Sequence, residues 1–173
     1  NIGNALYGLQ GMSSGENEVR GVVMAVSRKI GERRDMLDGQ AIGNALYGLQ
    51  GMSSAEVEVR GVLGALSRKI GESREMLDGQ AIGNALYGLK GMSSWDAEVR
   101  GVLGALSRKI GESRDMLSGQ TIGNALYGLQ GMNSSEKEVR RSLIPMSRCR
   151  GATRCRPQGE PIGKPTNRLS RSK

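Results

Sequence analysis

The chain has 173 residues, of which 37% are apolar and 24% charged, with a formal net charge of +8 and neither histidine nor phenylalanine. Without histidine, histidine-based acid–base catalysis, Ser–His or Cys–His pairs and histidine metal ligands are excluded. The two cysteines, Cys149 and Cys155, are too few for a disulfide framework or a four-ligand zinc site. No apolar run is long enough to predict a membrane-spanning helix. We therefore expect a non-enzymatic protein without a cofactor.

The positive charge is concentrated at the end of the chain. Residues 1–146 carry 17 basic and 16 acidic side chains, whereas residues 147–173 carry eight basic and one acidic. The latter stretch holds three of the four prolines and few apolar residues, which predicts a disordered basic tail. An excess of basic residues indicates an anionic partner, here RNA, a membrane surface or an acidic protein, and that indication applies to the tail. The alternatives are a solvated tail or non-native sequence.

One octapeptide, Ile-Gly-Asn-Ala-Leu-Tyr-Gly-Leu, occurs four times without change, beginning at Ile2, Ile42, Ile82 and Ile122. A fixed period, here 40 residues, is typical of an array of stacked units. Residues 1–146 thus predict about three and a half to four repeats, which we call copies one to four. Copy one lacks the approach to the octapeptide that the other copies carry. We therefore expect the chain to be a piece of a longer protein.

The octapeptide predicts the first helix of each copy, helix A, at about residues 39–50 in copy two. Apolar residues recur there at intervals of three and four, as on one face of an α-helix. Asp38, Asp78 and Ser118 stand where an N-cap is expected, and Gly51 where a glycine ends a helix. The small residues Ala41, Ala45 and Gly48 share a flank, which favours close approach of neighbouring A helices.

A second helix, helix B, is predicted at about residues 54–70 and ends at Gly71. Ser53 and Glu56 have the spacing of a capping box, which recurs from Ser13, Ser93 and Asn133. In copy four, proline replaces an alanine of this helix at Pro145, and we expect the helix to stop near residue 143 or 144. Two helices per copy predict an all-α fold, an α-solenoid of antiparallel helical hairpins over residues 1–146.

A row of amides and phenols is predicted on the side of helix A away from the core, lining the inner face of the solenoid. Amides can bond base edges and aromatic rings can stack on bases. The alternative is that these side chains bond between adjacent copies and hold the stack together. The candidate residues are Asn4, Tyr7, Gln40, Asn44, Tyr47, Gln80, Asn84, Tyr87, Gln120, Asn124 and Tyr127.

Helix B and the connector after it carry mixed charge in every copy. Arg60, Arg68 and Lys69 are basic and recur with the period, while Glu58, Glu72 and others balance them. Such a pattern favours a solvated outer face. Phosphate contact by the connector residues Arg34, Arg74 and Arg114 is the alternative, which the net charge of the array does not support.

Helix A resembles the Leu-Ala-Asn-x-Leu-Trp-Ala-Leu-Ala-x-Leu helix of octotricopeptide repeats, which are helical hairpins of about this length. Related repeats occur in organellar proteins that carry a RAP domain. The matching residues in copy two are Ile42, Asn44, Leu46, Tyr47 for Trp, Gly48 for Ala, Leu49 and Met52. The proline-rich start of the family repeat is missing, and the copies are nearly identical. The resemblance implies an α-solenoid that binds single-stranded RNA in a chloroplast or mitochondrion and supports its processing, stability or translation.

Two functions follow from the sequence. The first is binding of single-stranded RNA, which the row of amides and phenols and the family resemblance favour. The second is a scaffold of armadillo or HEAT type that binds a protein partner, which the nearly neutral array favours. The sequence leaves the oligomeric state open.

Overall fold

The computed structural model describes residues 2–113, 116–133 and 135–148, and in 144–148 only the helical backbone. Within them the chain forms eight helices and no strand, which confirms the all-α prediction. The A helices are α1 (Ile2–Tyr7), α3 (Gly39–Tyr47), α5 (Gly79–Tyr87) and α7 (Gly119–Gly128). The B helices are α2 (Asn17–Glu32), α4 (Val57–Glu72), α6 (Ala97–Glu112) and α8 (Lys137–Arg148).

Each helix packs chiefly against its counterpart in the neighbouring copy. Helix α3 lies between α1 and α5, and α4 lies between α2 and α6. The A helices therefore form one layer and the B helices a second, with the apolar core between them. Ile42, Leu46 and Leu49 from the A layer and Leu63 and Leu66 from the B layer are fully buried. A single copy could not cover these side chains, because its neighbours supply the other half of each contact.

The A helices approach one another until backbone meets backbone. A Cβ atom on Gly48 would lie 2.0 Å from the Leu6 carbonyl oxygen, and one on Gly43 would lie 2.9 Å from the Ala81 Cα. These distances leave no room for a side chain. The predicted close approach at Ala41 and Gly48 is confirmed, since Ala41 in turn faces Gly3 of copy one.

The beginning of helix A agrees with the sequence. Asp38, Asp78 and Ser118 are N-caps, and the side chain of Asp78 accepts a hydrogen bond of 2.7 Å from the Ala81 amide. The helix is shorter than predicted, because α3 ends at Tyr47 and a turn follows. Gly51 closes that turn with φ of +83°, a left-handed conformation that glycine adopts without a steric penalty.

We expect Asp78→Ala to lower the free energy of unfolding by about 1 kcal/mol, because the Ala81 amide loses its acceptor. Asp78→Asn, which keeps an acceptor oxygen, is the control and should stay near the wild type. Urea unfolding followed by circular dichroism measures both. Equal losses in the two variants would contradict a capping role for Asp78.

The capping-box prediction for helix B is wrong. Helix α4 begins at Val57, its N-cap is Glu56, and that residue makes no side-chain capping bond. The Ser53 hydroxyl instead accepts from the Ala55 amide at 3.2 Å, within the turn itself. Ser54, buried beside it, accepts from the Ser93 amide of the next copy at 2.9 Å. The serine pair therefore shapes the turn and links copies.

The predicted ends of helix B are also wrong. Gly71 lies inside α4, which continues to Glu72. Helix α8 runs to Arg148 and so passes Pro145. A proline removes one amide donor from a helix, yet the preceding residues of α8 already pack against α6. The rest of the predicted tail, residues 149–173, lies outside the described residues.

The sequence predicts that the charges of helix B face solvent, but two of its lysines are buried. Lys69 and Lys109 are 6% and 7% exposed. Lys69 Nζ donates at 2.6 Å to the carbonyl oxygen of Arg33, the C-cap residue of α2. Lys109 bonds the Ser73 carbonyl at the end of α4 in the same way. A lysine of one copy thus caps the B helix of the copy before it.

Candidate functional site

The candidate residues lie on the A layer, on the side away from the B helices, and none of them is fully buried. Gln40, Gln80 and Gln120 are exposed, and the asparagines and tyrosines of copies two and three are half-buried. Tyr7 and Tyr127, at the two ends of the row, are each 45% exposed. We call this surface the A edge. It carries the amides toward the N-terminal ends of the A helices and the tyrosines at their C-terminal ends.

The four tyrosines form one continuous stack. Ring centroids are 5.6 Å apart for Tyr7 and Tyr47, 5.5 Å for Tyr47 and Tyr87, and 5.5 Å for Tyr87 and Tyr127. The interplanar angles are 18–28°. Such offset stacking stabilises the array by roughly 0.5–1.5 kcal/mol per pair beyond area burial. The faces of Tyr47 and Tyr87 are occupied by neighbouring rings, so a base can reach only the hydroxyls and ring edges there.

The amides line depressions between successive A helices. Gln40, Asn44, Gln80 and Asn84 surround one of about 290 Å³, and the Asp78 carboxylate forms part of its wall. A second, of about 470 Å³, lies one copy further on, where Ser118 takes the place of Asp78. Each depression offers several donors and acceptors in a space large enough for a flat polar group. The two recur with the repeat because the same residues recur.

One amide contact joins copies directly. Asn44 Nδ2 donates to Asn4 Oδ1 at 3.3 Å. This bond supports the alternative that the row holds the stack together. It uses one donor of Asn44 and one acceptor of Asn4, and each amide group has four hydrogen-bonding positions in all. Both side chains therefore keep bonding capacity for a ligand.

Three residues beyond the ends of α3 and α5, a polar side chain reaches the tyrosine of the next copy, and the sequence prediction missed it. Gln50 Nε2 lies 3.4 Å from the Tyr87 hydroxyl. At the equivalent position Lys90 donates to the Tyr127 hydroxyl at 2.7 Å and lies 4.3 Å from the ring centroid. The hydrogen bond to Tyr127 raises the pKa of Lys90. The substitution of lysine for glutamine in copy three alone was the available signal.

Within the described residues, no group of three or more histidine, cysteine, aspartate or glutamate residues is arranged to hold a metal ion. No helix of that part of the chain combines the length and apolar character needed to cross a bilayer. Comparisons with protein-family models, curated proteins and solved structures found no match to this chain.

Proposed function

We propose that this chain is a non-enzymatic α-solenoid that binds single-stranded RNA along the A edge. The observation that carries the proposal is the pair of amide-lined depressions, which recur with the 40-residue period. Side-chain amides can bond the Watson–Crick edges of unstacked bases, which single-stranded RNA exposes. Depressions lined by the same amides in successive copies suit successive bases of an extended strand. The family resemblance of helix A points the same way and implies an organellar RNA.

The proposed solenoid curves toward the A edge. In the A layer the backbones meet at Gly43 and Gly48. In the B layer a Cβ on Gly61, Gly64 or Gly101 would meet no backbone, only side-chain atoms at 3.5, 3.7 and 2.9 Å. A stack whose one layer is more closely spaced bends toward that layer. This supports an inner, concave A edge, the surface that solenoids use for extended ligands.

A protein partner is the second candidate, and the tyrosine stack favours it. Because neighbouring rings cover Tyr47 and Tyr87, base stacking is limited to the ends of the row. The amides could equally bond the backbone of an extended peptide, which alternates donors and acceptors. The nearly neutral charge of residues 1–146 would suit such a partner.

A double variant, Asn44→Ala with Asn84→Ala, tests the proposal. We expect the affinity of the full chain for a fluorescein-labelled, mixed-sequence single-stranded RNA to fall at least tenfold, since each good base contact is worth about 1–3 kcal/mol. The melting temperature should fall by only a few degrees, because an intramolecular hydrogen bond contributes about 0.5–1.5 kcal/mol. Fluorescence anisotropy and circular dichroism measure the two quantities.

Asn17→Ala is the matched control, since it removes the same amide on helix B, where copy three has Ala97. Its RNA affinity should equal that of the wild type. If the double variant melts early and keeps its affinity, the asparagines are structural and the A edge is not the RNA surface. If the wild type binds no RNA even near 50 mM salt, the RNA proposal fails and the protein-partner candidate takes its place.

A further inference from the structure

Charged side chains gather where the B helices end. Each connector joins the C-terminal end of a B helix to the N-terminal end of the next A helix, so both ends lie on one edge, the connector edge. Residues 28–38 hold four basic and three acidic side chains, and residues 68–78 hold three of each. Some of these charges are paired, as Lys29 is with Glu32. The charge of the connector edge is therefore nearly balanced, and the groups that can bind a ligand are its unpaired arginines.

Arginines of this edge lie where they can bind an anion. Arg68 Nη2 is 3.5 Å from the position that a Cβ on Gly31 would take, and Arg108 Nη2 is 3.2 Å from that of Gly71. Each guanidinium thus extends over the end of the preceding B helix, where the glycine leaves it room. Both arginines are exposed, and neither makes an ion pair or hydrogen bond within the described part of the chain.

The equivalent arginine at the other end of helix B behaves differently. Arg60 Nη1 donates to the carbonyl oxygens of Ser54 and Ala55 at 2.8 and 2.7 Å, and it is half-buried. Its guanidinium is committed to the turn. The repeat therefore contains two kinds of arginine. One is bonded to the turn, and the other has unused guanidinium donors.

A depression of about 300 Å³ lies beside these free groups. Arg74, Arg108 and Lys109 line it together with Ser73 and Glu112. Lys109 is held in its wall by the Ser73 carbonyl and lies 3.6 Å from Glu112. The Glu112 carboxylate offsets the charge of Lys109, so the guanidinium groups of Arg74 and Arg108 are the unpaired charges of the depression. Planar guanidinium groups match phosphate oxygens in pairs.

We propose that the connector edge is a phosphate track, in which the exposed arginines bind the backbone of the strand whose bases enter the amide depressions. This inference rests on the proposed function and adds to it the residues that bind the RNA backbone. Asp78 lines an amide depression and directly follows the connector, so the two surfaces adjoin. The acidic residues of the edge include Glu72 and Glu75. The track comprises Arg28, Arg34, Arg68, Arg74 and Arg108.

The test compares two double variants of the full chain that have the same net charge. Arg68→Gln with Arg108→Gln removes two track residues. Lys137→Gln with Arg141→Gln removes two charges at the start of α8, on the edge opposite the connectors, where copy two has the neutral residues Val57 and Gly61. We call the two the arginine variant and the control variant. Binding of labelled mixed-sequence single-stranded RNA is measured by anisotropy at several salt concentrations. Because the segment after residue 148 is common to all chains, its contribution cancels in the comparison.

For the arginine variant we expect weaker binding and a salt slope reduced by about 0.7 for each arginine, as for any lost phosphate contact on a single strand. The control variant should keep a slope close to that of the wild type. Equal slopes in the two variants would overturn the track and leave the RNA proposal standing. If the wild type binds no RNA, calorimetric titration with inorganic polyphosphate decides. Weaker binding by the arginine variant alone then supports an anion track without RNA, and equal binding overturns the track as well.

Discussion

Gly88→Ala should destabilise the array strongly, whereas Gly8→Ala should not. A Cβ on Gly88 would lie 2.0 Å from the Leu46 carbonyl oxygen and 2.7 Å from the Tyr47 nitrogen. These are backbone atoms of the neighbouring helix, so relief requires that α5 and α3 move apart. Overpacking costs about 1–3 kcal/mol and occasionally more, and we expect a value at the upper end of this range. For a chain of this size, each kcal/mol lost from the free energy of unfolding lowers the melting temperature by roughly 2–4 °C.

Gly8 is the matched control because it occupies the same position in copy one. The nearest atoms to its added Cβ would be the Ala5 and Asn4 carbonyl oxygens of its own helix, at 3.5 and 3.6 Å. Neither Gly8 nor Gly88 has a positive φ, so alanine is not strained at either. Differential scanning fluorimetry of both variants measures the difference. Similar melting temperatures for the two variants would show that the A layer can open without cost.

The parts of the fold that depend on neighbours along the chain were predictable from the sequence. Asp78 caps helix A because a short acceptor placed before the first turn needs only the next three residues. The alternation of helices A and B follows from apolar spacing in the same local way. Contacts that cross from copy to copy were mostly not predictable. Ser53 and Glu56 have the sequence pattern of a capping box, yet they do not form one. Ser54 instead accepts a hydrogen bond from the next copy.

The same distinction, between features set by chain neighbours and contacts between copies, applies to the candidate site. Its residues could be chosen from the sequence, because Asn44 and Tyr47 lie off the apolar face of one helix. Their partners could not, since the stacking of Tyr47 on Tyr87 depends on how closely the A helices approach. That spacing is set by backbone contact at Gly48 and Gly88, which the sequence indicates only as small residues on one flank. The unpaired arginines of the connector edge were hidden for a similar reason, because a sequence does not show which charges pair in the fold.

Lys109→Met should destabilise the array clearly, and Lys29→Met should be nearly silent. Lys109 is buried and donates to the Ser73 carbonyl at the C-terminus of α4. Methionine keeps the apolar stem but leaves that carbonyl without its donor, and an unsatisfied buried group costs about 1–3 kcal/mol. The lysine also interacts favourably with the helix C-terminus, by about 0.3–1 kcal/mol at exposed sites and more where partly buried.

Lys29 is the same residue in copy one, where its side chain is 72% exposed and pairs with Glu32 at 2.7 Å. An exposed pair of this kind contributes about 0–1 kcal/mol, so its loss should be near the detection limit. Urea unfolding of both variants measures the difference. If the buried lysine were only a tolerated charge, Lys109→Met would be neutral or stabilising, as often follows when a buried ion is replaced by an apolar residue. A clear loss in Lys109→Met alone would instead identify this lysine as the helix cap that joins one copy to the next.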